Sequence, residues 1–99
     1  MAKSPVLAVG IPWFKREDYP RILEIMTDAH GLHETYDGWR EAAEALERRM
    51  SSEGHIAVRA EINPDEFLGW CRANGLKADS KARARFASWV ASRRVKEDR

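Results

Sequence analysis

At residues 62–63 a strand pattern gives way to a helix start with no spare residue between them. Ile56, Val58, Ala60 and Ile62 alternate with His55, Ala57, Arg59 and Glu61. That two-residue period is the mark of a half-buried strand over 55–62. Asn63-Pro64-Asp65-Glu66 follows at once. Asn63 can cap, Pro64 sits at N1 where its missing N–H costs nothing, and Glu66 at N3 can return a bond to the cap. The helix so begun runs to about Asn74. Gly75 fits the left-handed position after it, and Leu76 can reach back to Trp70 or Cys71.

The other elements follow from period and punctuation. Val6-Leu7-Ala8-Val9, between Pro5 and Gly10, reads as a short buried strand. Ile11-Pro12-Trp13-Phe14 reads as an aromatic loop. A helix over about 17–30 carries Ile22, Leu23, Met26, Ala29 and His30 at helical spacing, with Pro20 in its first turn and Gly31 as its stop. A second helix over about 36–52 has Thr35 as its cap candidate and Tyr36, Trp39, Ala43, Leu46 and Met50 as its apolar stripe. A last helix begins at Asp79 or Ser80 and runs to about Lys96, with Ala82, Phe86, Trp89, Val90 and Arg93 on one face. The expected fold is α+β: a small two-stranded sheet, open to extension by dimerisation, with four helices in the order β-α-α-β-α-α.

Ninety-nine residues amount to a single domain, 1–99. A hydrophobic content of 43% excludes a disordered chain. The longest apolar run, 6–14, is too short to span a membrane. That run loosely resembles a secretory leader, but Pro12 interrupts it and Lys15-Arg16-Glu17-Asp18 follows without a small-residue cleavage site. The lone Cys71 excludes an internal disulfide. A cytoplasmic protein is expected. The expected core is Leu23, Met26, Trp39, Leu46, Val58, Phe67, Phe86 and Trp89.

Net charge is +1 but unevenly spread. Residues 1–75 hold 9 Lys/Arg against 13 Asp/Glu, and residues 76–99 hold 8 against 3. The last two helices have the outline of a helix-turn-helix, with Lys81, Arg83 and Arg85 near the start of the second. The connection is long for that motif, and no Asn or Gln follows to read adenine.

Chemistry-bearing groups are few. His30 and His33, flanked by Asp28 and Glu34, are candidate metal ligands with His55 as a third. Their spacing matches no established zinc pattern. Cys71 lies on an apolar helix face and reads as a small hydrophobe. Trp13 and Phe14 are either an exposed anchor for a partner or a staple onto the first helix. Ala84, Ala87, Ser88 and Ala91 form a small-residue face on the last helix, open to close approach by another backbone. Arg59 and Glu61 lie on the outward side of the 55–62 strand, where an antiparallel two-fold would set opposite charges across from each other. No phosphate loop or nucleophile elbow is present, and no cofactor is expected.

The reading is a small cytoplasmic binding or assembly module, non-enzymatic and homodimeric, joined through the 55–62 edge or the last helix. No membrane contact is expected; another protein partner is open. One alternative is a nucleic-acid-binding module using the basic C-terminal helix pair. The other is a small metal-dependent or acid–base enzyme using the histidines.

Overall fold

The computed structural model describes residues 8–97, with side chains through Arg93. Strand β1 spans Ala8–Trp13, helix α1 Tyr19–Ile25, helix α2 Tyr36–Ser52, strand β2 Ile56–Glu61, helix α3 Pro64–Ala73 and helix α4 Ser80–Glu97. Single 3-10 turns at Arg16–Asp18 and Ala29–Gly31 flank α1. The architecture is α+β, with a two-stranded sheet and four helices in the expected order.

The two strands run parallel, with Ala8 opposite Ile56 and Trp13 opposite Glu61. Parallel neighbours need a crossover of a dozen residues or more, and α1 and α2 supply it. The sheet lies between helices. On one face, Trp13 of β1 packs edge-on against Trp39 of α2, and Ile11 lines a shallow hollow with Trp39, Ala43 and Leu46. On the other, α4 lies so close to Gly10 that a Cβ there would stand 2.2 Å from the Ala87 carbonyl oxygen.

The caps explain where most helices begin and end. The Thr35 hydroxyl accepts from the Gly38 N–H at 3.1 Å. The Asn63 carboxamide oxygen accepts from the Glu66 N–H at 3.0 Å. Asp79, rather than Ser80, caps α4 by accepting from the Ala82 N–H at 3.0 Å. At the end of α3, Gly75 takes a φ of +65°. The Leu76 N–H donates to Cys71 O and the Gly75 N–H to Arg72 O, the paired bonds of a Schellman ending.

Two boundaries differ from expectation. Residues Ile11, Pro12 and Trp13 are strand, not loop, while Val6 and Leu7 of the expected strand lie outside the described residues. Ile62 N–H donates to Trp13 O at 2.8 Å. Backbone direction alternates along a strand, so Pro12 faces the outer edge, where no N–H is needed. The first helix stops at Ile25 instead of reaching residue 30, because Met26 turns to an extended ψ of 129°. Thr27 then donates both its N–H and its hydroxyl to Ala78 O, at 2.8 and 3.2 Å. A tertiary tie to the start of α4 thus outcompetes the continuing helical period.

Aromatic side chains make up two packed groups. Trp13, Phe14, Tyr19, Tyr36 and Trp39 meet between the sheet and α2, with Trp13 edge-on to Trp39 at 5.2 Å. Phe67, Trp70, Phe86 and Trp89 meet between α3 and α4. Of the expected core, Met26, Trp39, Phe67 and Phe86 are buried, and Leu23, Leu46 and Val58 are half-buried. Trp89 is 42% exposed, a correction. Helix α4 turns Ala82, Phe86, Ala87 and Ala91 inward, so its buried direction lies between the two faces that periodicity separates, and Trp89 falls at the margin.

Candidate functional site

The outer edge of β2 is where the fold leaves backbone polar groups uncommitted. In a parallel ladder a residue's N–H and C=O point the same way, and neighbours point oppositely. Because Ile62 bonds Trp13, residues 56, 58, 60 and 62 face β1. Ala57, Arg59 and Glu61 therefore face outward, and their backbone groups have no partner among the described residues. The outer edge of β1 is different: Pro12 interrupts its row of donors, a common protection of sheet edges.

The side chains along this edge are held in place. Arg59 donates to both carboxylate oxygens of Glu47 on α2, at 2.7 and 2.9 Å. Its guanidinium also lies 4.0 Å from the Trp13 ring centroid. The Arg59 bonds hold the Glu47 carboxyl below its ordinary range, and Glu47 in turn raises Arg59. Glu61 pairs with Lys15 at 3.3 Å and raises that amine. Sequence placed Arg59 and Glu61 at the edge, but nothing in the spacing revealed Glu47 or Lys15 as their partners, since both come from distant segments.

The other candidates fall elsewhere. Trp13 and Phe14 are core residues, 8% and 1% exposed, and so staple the strand to the helices instead of offering an anchor. Ala87 and Ala91 are buried. The small-residue face does admit a close backbone, but that backbone is the chain's own β1 at Gly10. Ala84 and Ser88 are exposed beside it. Arg83 is not a free cation: it is 9% exposed and grips both carboxylate oxygens of Asp28, at 2.8 and 3.1 Å. Lys81 and Arg85 are exposed.

The histidines are not brought together. His30 and Glu34 line an open depression of about 470 Å³ with Leu23, Ala29 and Leu32. His33 lines a separate one with Gly38, Glu41, Ala42 and Ala45. His55 precedes β2 at the far end of α2. Among the described residues, no three His, Cys, Asp or Glu side chains are grouped to hold a metal ion. Cys71 is 2% exposed, and burial, with Asp79 nearby, pushes its thiol up, away from the thiolate a nucleophile requires. No helix among the described residues is long and apolar enough to cross a membrane. Set against family models, curated proteins and solved structures, the chain finds no match in any of the three.

Proposed function

We propose that the chain is a cytoplasmic, non-enzymatic assembly module that pairs with a second copy of itself along the outer edge of β2. The open row of Ala57, Arg59 and Glu61 backbone groups carries this reading. A two-stranded sheet is marginal alone, and an unblocked edge invites another strand. A two-fold axis at Ala60 sets Arg59 opposite the partner's Glu61 as a hydrogen-bonded pair. A two-fold axis at Arg59 instead sets Arg59 against its own copy. Opposite charges across a ladder stabilise and like charges destabilise, so the Ala60 register is favoured. The result is a four-stranded sheet, β1-β2-β2-β1. Supporting a non-enzymatic role, Arg83 and Arg59 engage Asp28 and Glu47 and hold both carboxyls below their ordinary range, which disfavours either as a proton donor.

Sedimentation equilibrium at about 100 μM tests this, because self-association is set by mass action. A dimer at twice 11.4 kDa is expected; a monomer refutes the proposal. Ala57→Pro removes only an outward N–H and should give a folded monomer. Glu61→Arg should weaken the dimer, and Arg59→Glu combined with it should restore it.

A further inference from the structure

Cations in this chain divide into two populations. Lys15, Arg16, Arg21, Arg40, Arg49 and Arg59 each pair with a carboxylate, as does Arg83. Arg72, Lys77, Lys81, Arg85 and Arg93, all from α3 onward, have no carboxylate partner among the described residues; before them only Arg48 shares that state. No Asp or Glu occurs between Ser80 and Lys96. Among the described residues, the cations without a carboxylate partner are therefore gathered on the α3–α4 half, Arg48 apart.

Along α4, Lys81, Arg85, Trp89 and Arg93 recur every four residues, and all are exposed. Four residues make slightly more than one turn, so the four side chains form a gently winding stripe about 18 Å long. Trp89 and Ile56 are the large hydrophobics exposed among the described residues. Trp89 rests on Phe86 at 5.7 Å, which in turn packs on Phe67 and Trp70. Its ring is thus held on a rigid base while solvent reaches it. The Arg93 guanidinium stands 4.7 Å from the ring centroid. An exposed, supported aromatic interleaved at one-turn spacing with cations that have no carboxylate partner among the described residues matches a polyanion that also presents flat π-faces.

We propose that the Lys81–Arg85–Trp89–Arg93 stripe of α4 binds single-stranded nucleic acid, its cations on phosphates and a base stacked on Trp89. A duplex hides its base faces and gains only the charge contribution. Base–aromatic stacking tolerates any sequence, in keeping with a helix that carries no Asn or Gln to read base edges. The proposal is independent of β2 pairing, since the stripe lies on another element.

Fluorescence anisotropy of the full chain tests it, with labelled oligo(dT) and oligo(U) of roughly 20 nucleotides at low salt, and a duplex and heparin as competitors. Micromolar binding of either strand is expected, and the two arms identify DNA or RNA as the preferred form. Trp89→Leu keeps an apolar group on Phe86 but removes the stacking face, and should weaken binding at least about 5-fold. Trp89→Phe should retain most of it. Arg85→Gln should flatten the salt dependence by about 0.7 in logarithmic slope. Absence of binding, a preference for duplex, or Trp89→Leu binding as tightly as the parent would each overturn the proposal. Circular dichroism melts of each variant separate loss of fold from loss of contact.

Discussion

Gly10→Ala tests the tightest contact in the fold. A methyl group at Gly10 would stand 2.2 Å from Ala87 O, 2.6 Å from Ala87 C and 3.1 Å from the Ser88 nitrogen. Ordinary contact begins near 3.4 Å, so α4 must retreat by about 1.2 Å or β1 must bend. The opposing atoms are helix backbone, and no rotamer change relieves them. Retreat also loosens Phe86 and Ala91, which α4 buries on either side. Overpacking of this kind costs typically 1–3 kcal/mol, and each kcal/mol lowers the melting temperature of a domain this size by about 4–8 °C. Urea unfolding should show a lower midpoint with an unchanged slope. The control is Gly69→Ala on α3, which meets nothing within 4 Å and should stabilise by up to about 1 kcal/mol through helix propensity. Adding Ala87→Gly to Gly10→Ala should not rescue it, since the clashing atoms are main chain. If Gly10→Ala unfolds at the parental midpoint, the packing of α4 on β1 is wrong.

Asp28→Asn should cost about 1.5 kcal/mol at neutral pH, the low end for a hydrogen bond to a charged group, because the carboxylate retains some solvent screening. The Arg83 bonds lower the Asp28 pKa in the folded state, so that stability is present above the unfolded value of about 3.9 and is lost as pH falls through the lower folded value. The gap between parent and variant in a melting series should therefore close only in strong acid; a constant gap would contradict this. Asn63→Ala should cost about 1 kcal/mol by removing the acceptor for the Glu66 N–H, measured by thermal melting. Ala87→Glu should unfold the chain instead of splitting a dimer, because it forces an unpaired charge against β1; a folded monomer by circular dichroism would show the contrary.

The parts of this fold legible in the sequence are those governed by chemistry within a few residues. Thr35, Asn63 and the Gly75–Leu76 ending work through bonds spanning three to five positions, and each lies where the residue types place it. The strand at residues 55–62 was readable because β2 alternates. What escaped depends on contacts between distant segments. The chain leaves the first helix at Met26 so that Thr27 can bond Ala78, Pro12 joins a strand because its bare nitrogen faces outward, and Trp89 is exposed because α4 turns Ala87 onto β1 at Gly10 instead. Arg83 looked available for a ligand, yet its partner Asp28 lies 55 positions away. The edge residues Arg59 and Glu61 were identified, whereas the order Lys81–Arg85–Trp89–Arg93 mattered only once Arg83 was committed elsewhere and Trp89 proved exposed.

Parallel pairing also sets an order of events when the chain folds. Ala8 meets Ile56 across an offset of 48 positions, and a hairpin cannot shorten that distance. Closing such a loop carries an entropic cost of roughly 3 kcal/mol before any ladder bond forms. On a ribosome adding about 5–20 residues per second, β1 emerges first and waits seconds for its partner, and α4, which covers Gly10, comes last. The helix pair α1–α2 can form locally during that interval, whereas the sheet cannot. Truncations that stop before α4 should therefore leave the apolar face of β1 uncovered and prone to aggregate, and refolding of the whole chain should be slower than its helix content implies.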